Sequence, residues 1–196
     1  MSAAGTTEPS LPDKVVALDH ALHAASVAHA FGGALALAYY AEPRATIDID
    51  LNVFVSPARF LAVRDALGPL GVDGNVELAP VEAEGQCRLW WGRTPIDLFF
   101  AYDELHRAMR RCVRVVPFGD ERIPILSPEH LVVCKAVFDR PKDWLDIEQV
   151  LVCVEVLDRD EISGWLQRIA GNDDPRTQRF DSLVHDLTDH RSGAAP

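Results

Sequence analysis

The 196-residue sequence has no CxxC pair, no lysine-bearing phosphate loop and nothing resembling a Ser-His-Asp or Cys-His nucleophile. These absences exclude a zinc ribbon, a P-loop NTPase and the common covalent hydrolases. The four cysteines, Cys87, Cys112, Cys134 and Cys153, are far apart. They are expected to be reduced core thiols. Basic charge is also scarce: 19 Lys and Arg stand against 30 Asp and Glu, giving a net charge of −11. A general nucleic-acid binder needs a basic surface, so this balance argues against one, though not against a local basic patch. No apolar run reaches the roughly 18 residues of a membrane span. The stretch MSAAGTTEPSLPDK lacks the basic start and apolar core of a signal peptide. The expected compartment is the cytoplasm, with no membrane partner.

What is present is an apolar chain, 48% hydrophobic by composition, with clear punctuation. Residues 1–11 read as a disordered lead. Helical spacing of Val15, Leu18, Leu22 and Ala25 marks a first helix over 12–27. HAFGG brings a short apolar stretch to a double glycine, and GALALAYYAEP reads as a helix stopped near Pro43. TIDIDLNVFV alternates with period two and is a strand. A helix over 57–71 follows. VELAPV, CRLWW and PIDLFFA are three strand candidates, 103–111 is a short helix, and VRVVPF with RIPIL forms a strand pair. From Ser127-Pro128-Glu129, an N-cap with proline at the first helical position, helices are expected over 128–139, 142–156, 160–170 and 177–188. The fold class is α/β (α+β): a mixed-sheet domain over 12–126, then a helical part over 127–190.

The strand TIDIDLNVFV poses a problem. Strand interiors are depleted in Asp, and an unpaired buried charge is very costly. Residues two apart on a strand face the same side, about 7 Å apart. Asp48 and Asp50 therefore point together, with Thr46 and Asn52 on their face and Ile47, Ile49 and Leu51 toward a core. Asp97, between Ile96 and Leu98, is a third carboxylate in similar company. One reading is an exposed edge with nothing bound. The other is a divalent ion. Magnesium takes oxygen ligands and substrate phosphates, and two such ions about 4 Å apart can clamp the attacking and leaving oxygens of phosphoryl transfer. Gly32-Gly33 at the start of a helix would let backbone N–H groups approach a phosphate.

Gly-Gly before a helix, a DxD strand and a later strand Asp resemble the nucleotidyltransferase superfamily with the DNA polymerase β-like fold. LSPEHLVVCKAVFDRPKDWLDIEQVL further resembles the AbiEii/MenT-type toxins of type IV toxin–antitoxin pairs, through Lys135, Arg140, Lys142, Asp143 and Asp146. The resemblance covers about residues 28–152. It implies two Mg²⁺ ions on Asp48, Asp50 and Asp97, with Asp97 placed as general base. It implies an NTP co-substrate whose triphosphate is positioned by Gly32, Gly33 and Lys135, with Arg44 and Arg140 adding positive charge. The acceptor implied is the 3′ end of tRNA, and the implied partner is a cognate antitoxin. The same chemistry on a small molecule such as an aminoglycoside is the alternative, and the acidic balance suits a cationic acceptor. A catalytically inactive nucleotide-binding or interaction module is the third reading.

Each of these residues also has a plainer reading. Lys135, amid Leu131, Val132, Val133, Ala136 and Val137, either meets a triphosphate or snorkels to water. Asp143 and Asp146 share a helix face and, with Lys142, support Lys135 or Arg140, or merely cap and solvate the helix. Arg44 is a phosphate ligand or a surface arginine. Arg107, Arg110, Arg111 and Arg114 form a cluster without an acid, suited to RNA backbone contact, to an acidic partner or to plain solvation. Thr46 is either an ordinary strand residue or, as the toxin resemblance implies, a phosphorylation site beside the acids.

Overall fold

The computed structural model describes residues 8–74 and 76–192. The chain divides into two compact units. One takes the chain up to Phe31 together with Thr46–Ile125, and the other takes Gly32–Ala45 together with the chain from Leu126. The sequence reading drew one boundary near 126. The excursion of 32–45 into the second unit is a feature of the tertiary contacts.

The first unit is built on a seven-stranded mixed sheet. Its strands are β1 (His29–Phe31), β2 (Ile49–Val53), β3 (Val72–Asp73), β4 (Gln86–Trp91), β5 (Thr94–Phe100), β6 (Arg114–Phe118) and β7 (Glu121–Ile125). Their order is β3-β4-β5-β2-β1-β7-β6. The pairs β2–β5 and β1–β7 are parallel, and the other neighbours are antiparallel. Helices α1 (Leu11–Ala24), α3 (Phe60–Leu67), α4 (Leu78–Glu84) and α5 (Glu104–Arg111) belong to this unit. Ser10 and Asp13 form a reciprocal capping box at the start of α1, which buries Val15, Leu18 and Leu22. The residues just before α1 are ordered rather than part of a loose lead. The Glu8 carboxylate accepts from Lys14 Nζ at 2.5 Å and from the Arg93 N–H at 3.1 Å. The first seven residues of the expected lead lie outside the described residues.

Three expectations are corrected. VELAPV is not a strand: Leu78–Glu84 is helical, with Val81 buried and Gly85 closing it in the left-handed region at φ 67°. Pro80 lies in the first turn, where its missing N–H costs no helical bond. β2 begins at Ile49 rather than Thr46, so Ile47 faces water at 76% exposure while Ile49 and Leu51 are buried. Asn52 is buried as well, because β2 is an interior strand between β5 and β1. The cysteines are not all core thiols, since Cys112 and Cys153 are exposed.

The second unit holds α2 (Gly33–Leu37), α6 (Pro128–Phe138), α7 (Pro141–Cys153), α8 (Arg159–Ile169) and α9 (Pro175–Ser192). α6 runs through its interior: Leu131, Val132, Val133 and Ala136 are all within 1% of full burial. Ile147, Val150, Leu151, Ile162, Leu166 and Phe180 complete the core. α2 stops well short of Pro43. Its bonds tighten from four-residue to three-residue spacing at Tyr39 and Tyr40, and the Tyr40 hydroxyl donates to the Leu126 carbonyl at 2.7 Å. No helix among the described residues is long and apolar enough to cross a membrane.

Candidate functional site

Strand pairing in the first unit sets three charged residues side by side. Asp50 on β2 is in register with Asp97 on β5, and Asp97 is in register with Arg88 on β4. Neighbouring strands lie about 4.8 Å apart and registered residues share a face, so these side chains form a row across the sheet. Asp48 sits just before β2, and the Thr46 hydroxyl donates to its carboxylate. Arg88 grips Asp97 with both arms of its fork, Nε to Oδ1 at 2.6 Å and a terminal nitrogen to Oδ2 at 2.7 Å. The hydrogen bonds and charge of Asp97 hold the guanidinium above the usual arginine range; desolvation opposes this, and Asp48 and Asp50 add to the rise. All three carboxylates therefore lie within electrostatic reach of one guanidinium. Burial, and secondarily Asp97, pushes the neighbouring Cys87 thiol up to about 12.

Sequence reasoning missed Arg88, although a signal was present. The two-residue Gly92-Arg93 turn, with Gly92 at φ 59°, joins Trp91 to Thr94 and so fixes Arg88 opposite Asp97. A side chain at Gly92 would also collide with the Glu8 carboxylate, 2.4 Å from where a Cβ would lie. The donor set of Asp48, Asp50 and Asp97 is all carboxylate oxygen, which is the chemistry of a hard divalent cation such as Mg²⁺.

The remaining predicted nucleotide residues lie in the second unit. Gly32 precedes α2 and Gly33 opens it with a left-handed φ of 51°. Lys135 does not snorkel; it is 3% exposed, and its ammonium pairs with Asp146 at 2.6 Å and Asp143 at 3.7 Å. Asp146 also accepts from Arg44 at 3.2 and 3.3 Å. Asp143, fully buried, accepts from Arg140 Nε at 2.6 Å. Arg44, Lys135, Arg140, Asp143 and Asp146 are thus one ion-pair network, three cations on two carboxylates. Lys142 is exposed on the first turn of α7. Arg107, Arg110, Arg111 and Arg114 are exposed around the end of α5 and the start of β6. That cluster is not without an acid, because Glu104 pairs with Arg107 at 3.3 Å.

No protein-family model matches the chain, and no curated protein matches its sequence. Solved structures do match. The antibiotic-resistance factor ANT(2″)-Ia aligns with a TM-score of 0.60 at 15% identity, over 95% of this chain and 100% of that one. A nucleotidyltransferase-like antigenic protein from Paracoccidioides brasiliensis aligns at 0.59 and 16%, over 93% and 90%. The lincosamide antibiotic adenylyltransferase LnuA, solved with lincomycin bound, aligns at 0.51 and 14%, over 74% and 98%. The chain has the polymerase β-like nucleotidyltransferase fold. At these identities the likeness is one of fold, similar to that of nucleotidyltransferase enzymes.

Proposed function

We propose that this chain transfers a nucleoside monophosphate from an NTP to a hydroxyl of a small molecule, releasing pyrophosphate. The observation that carries the reading is the registered pair Asp50 and Asp97, with Asp48 beside them, on a fold similar to ANT(2″)-Ia over that protein's whole length. Structures with good fold agreement include an antibiotic-resistance factor and an antibiotic adenylyltransferase, and the first of these, ANT(2″)-Ia, has also been solved with adenylyl-2″-tobramycin, at a TM-score of 0.52. This shifts the acceptor from the tRNA end expected from sequence to a small molecule. Nothing in the fold singles out an antitoxin partner, and the Thr46 phosphorylation idea loses its context with it.

In this reading Asp48, Asp50 and Asp97 are the residues that would hold Mg²⁺, which would supply charge neutralisation on the phosphates of the NTP. The Thr46 hydroxyl donates to the Asp48 carboxylate. Asp97 is the candidate general base for the acceptor hydroxyl. Both its oxygens are engaged by Arg88. Arg44 and Arg140, whose side chains are 35% and 51% exposed, are the members of the second unit's network with surface left for an anion from solvent. Lys135 acts on them through the carboxylates they share.

The test is direct. Purified protein is incubated with Mg²⁺, each α-labelled NTP and, separately, aminoglycosides, lincosamides and total RNA. A labelled small molecule, lost in Asp50→Asn, is expected. Label in RNA and in none of the small molecules would return the acceptor to tRNA, and no labelled product with any acceptor would sink the reading.

A further inference from the structure

The Arg88–Asp97 pair has two descriptions. It could be an ordinary cross-strand ion pair, stabilising one hairpin and nothing more. Three observations go beyond that. The contact is bidentate and short, using both oxygens of the carboxylate. Arg88 also closes a row of charges, because Asp50 on β2 is in register with Asp97 on its other side. The Arg88 side chain is 51% exposed against 18% for Asp97, so the arginine has room to leave and the aspartate has not.

We infer that Arg88 is a built-in competitor for the divalent cation: it occupies Asp97 while the site holds no metal, and it must release that carboxylate for the metal to bind. The inference rests on reading the three carboxylates as the transfer site. Arg88 presents donors where a metal would present its coordination sphere, and both ligate the same two oxygens. The fork takes the face of the carboxylate that presents both oxygens together, so a metal seeking Asp97 from that face binds only with the free energy of opening the fork. Two consequences follow. The site binds free metal weakly, and the acid that would serve as base stays masked until metal arrives. The sheet is thereby relieved of carboxylate repulsion in the empty state.

The test measures Mn²⁺ binding to the metal-free full chain by electron paramagnetic resonance, without nucleotide. Arg88→Gln should bind Mn²⁺ about tenfold more tightly than wild type, the scale of a charge-assisted bidentate contact discounted for its half-exposed position. Arg88→Lys, which keeps the charge but not the fork, should fall between them. Mn²⁺ should also raise the melting temperature of Arg88→Gln more than that of wild type, and a cooperative melt shows that the variant folds. Equal or weaker Mn²⁺ affinity in Arg88→Gln would overturn the inference, as would Arg88→Lys behaving like the glutamine variant. The outcomes separate from those of the transfer assay. Tighter Mn²⁺ binding with no labelled acceptor keeps the competitor and sinks the transfer reading. Transfer with unchanged Mn²⁺ affinity does the reverse.

Discussion

Lys135→Met should destabilise the protein by about 3 kcal/mol. Breaking a buried ion pair by removing one partner costs about 3–5 kcal/mol, because the other charge stays behind without compensation. Here the lower end applies. The Lys135 ammonium is 4% exposed and lies 2.6 Å from Asp146, itself 7% exposed. When it goes, Asp146 keeps Arg44 at 3.2 Å and the fully buried Asp143 keeps Arg140 at 2.6 Å. Neither carboxylate is orphaned, but Arg44 is 35% exposed and its charge is partly screened. For a chain of this size 1 kcal/mol moves Tm by about 2–4 °C, so the variant should melt about 6–12 °C lower. Urea unfolding followed by tryptophan fluorescence reads the free energy, with Trp144 on α7 as a local reporter. Asp146→Asn should cost a similar amount, since it leaves Lys135 with Asp143 at 3.7 Å. The double variant should cost clearly less than the sum, by about 0.5–3 kcal/mol. The sequence expectation was that Lys135 acts on the nucleotide and not on the fold; that role would raise KM for the NTP with stability untouched. A single variant within about 0.5 kcal/mol of wild type, or strict additivity in the cycle, would refute the network argument.

Other outcomes follow from the first unit. Asp50→Asn should cut transfer by at least about a hundredfold, since metal stabilisation supplies several kcal/mol; its metal-free melt should hold or rise, and full activity would remove Asp50 from the site. The Cys87 thiol, pushed up to about 12, should be less than about one part in a thousand thiolate at pH 8. Peptide mapping after brief iodoacetamide treatment should find the exposed Cys153 alkylated and Cys87 intact, and equal labelling would contradict the half-buried setting of Cys87. Changing Arg110 and Arg111 to Glu should leave transfer to a small acceptor within about twofold and insensitive to salt, whereas a steep loss with an RNA acceptor would mark the cluster as an RNA-binding surface.

Much of the fold was legible because local chemistry and tertiary structure agree. Ser127 announces a helix start and caps it, whereas the cap at Ser10 went unread inside the expected lead. Period-two alternation marks β5, and Gly119-Asp120 sits between β6 and β7. The failures have local causes of another kind. Val76 to Val81 carries strand-forming residues, yet only Val81 is needed in the core, and Gly85 supplies the left-handed stop that a helix wants. α2 reads as eleven helical residues, but Tyr40 is recruited to the Leu126 carbonyl and the helix ends early. No periodicity encodes a contact 86 residues away.

The question raised by the DxD strand was what compensates carboxylates in an apolar run. The sequence suggested a bound cation, because it shows the acids close together and hides the arginine that meets them. Arg88 lies nine residues before Asp97 in an unremarkable CRLWW run, and only the hairpin register turns that separation into a bidentate contact. Asp48 and Asp50 add to the hold that Asp97 has on that guanidinium. The buried Lys14 in the same unit is the structural contrast. Its three donors meet Glu8, the Trp91 carbonyl and the Thr94 hydroxyl, and its side chain is 2% exposed. The carboxylate row is instead built around an arginine that is half in solvent and can depart. Lys14 closes its contacts around a finished structure, and Arg88 holds its contact at an edge where a competing cation can displace it.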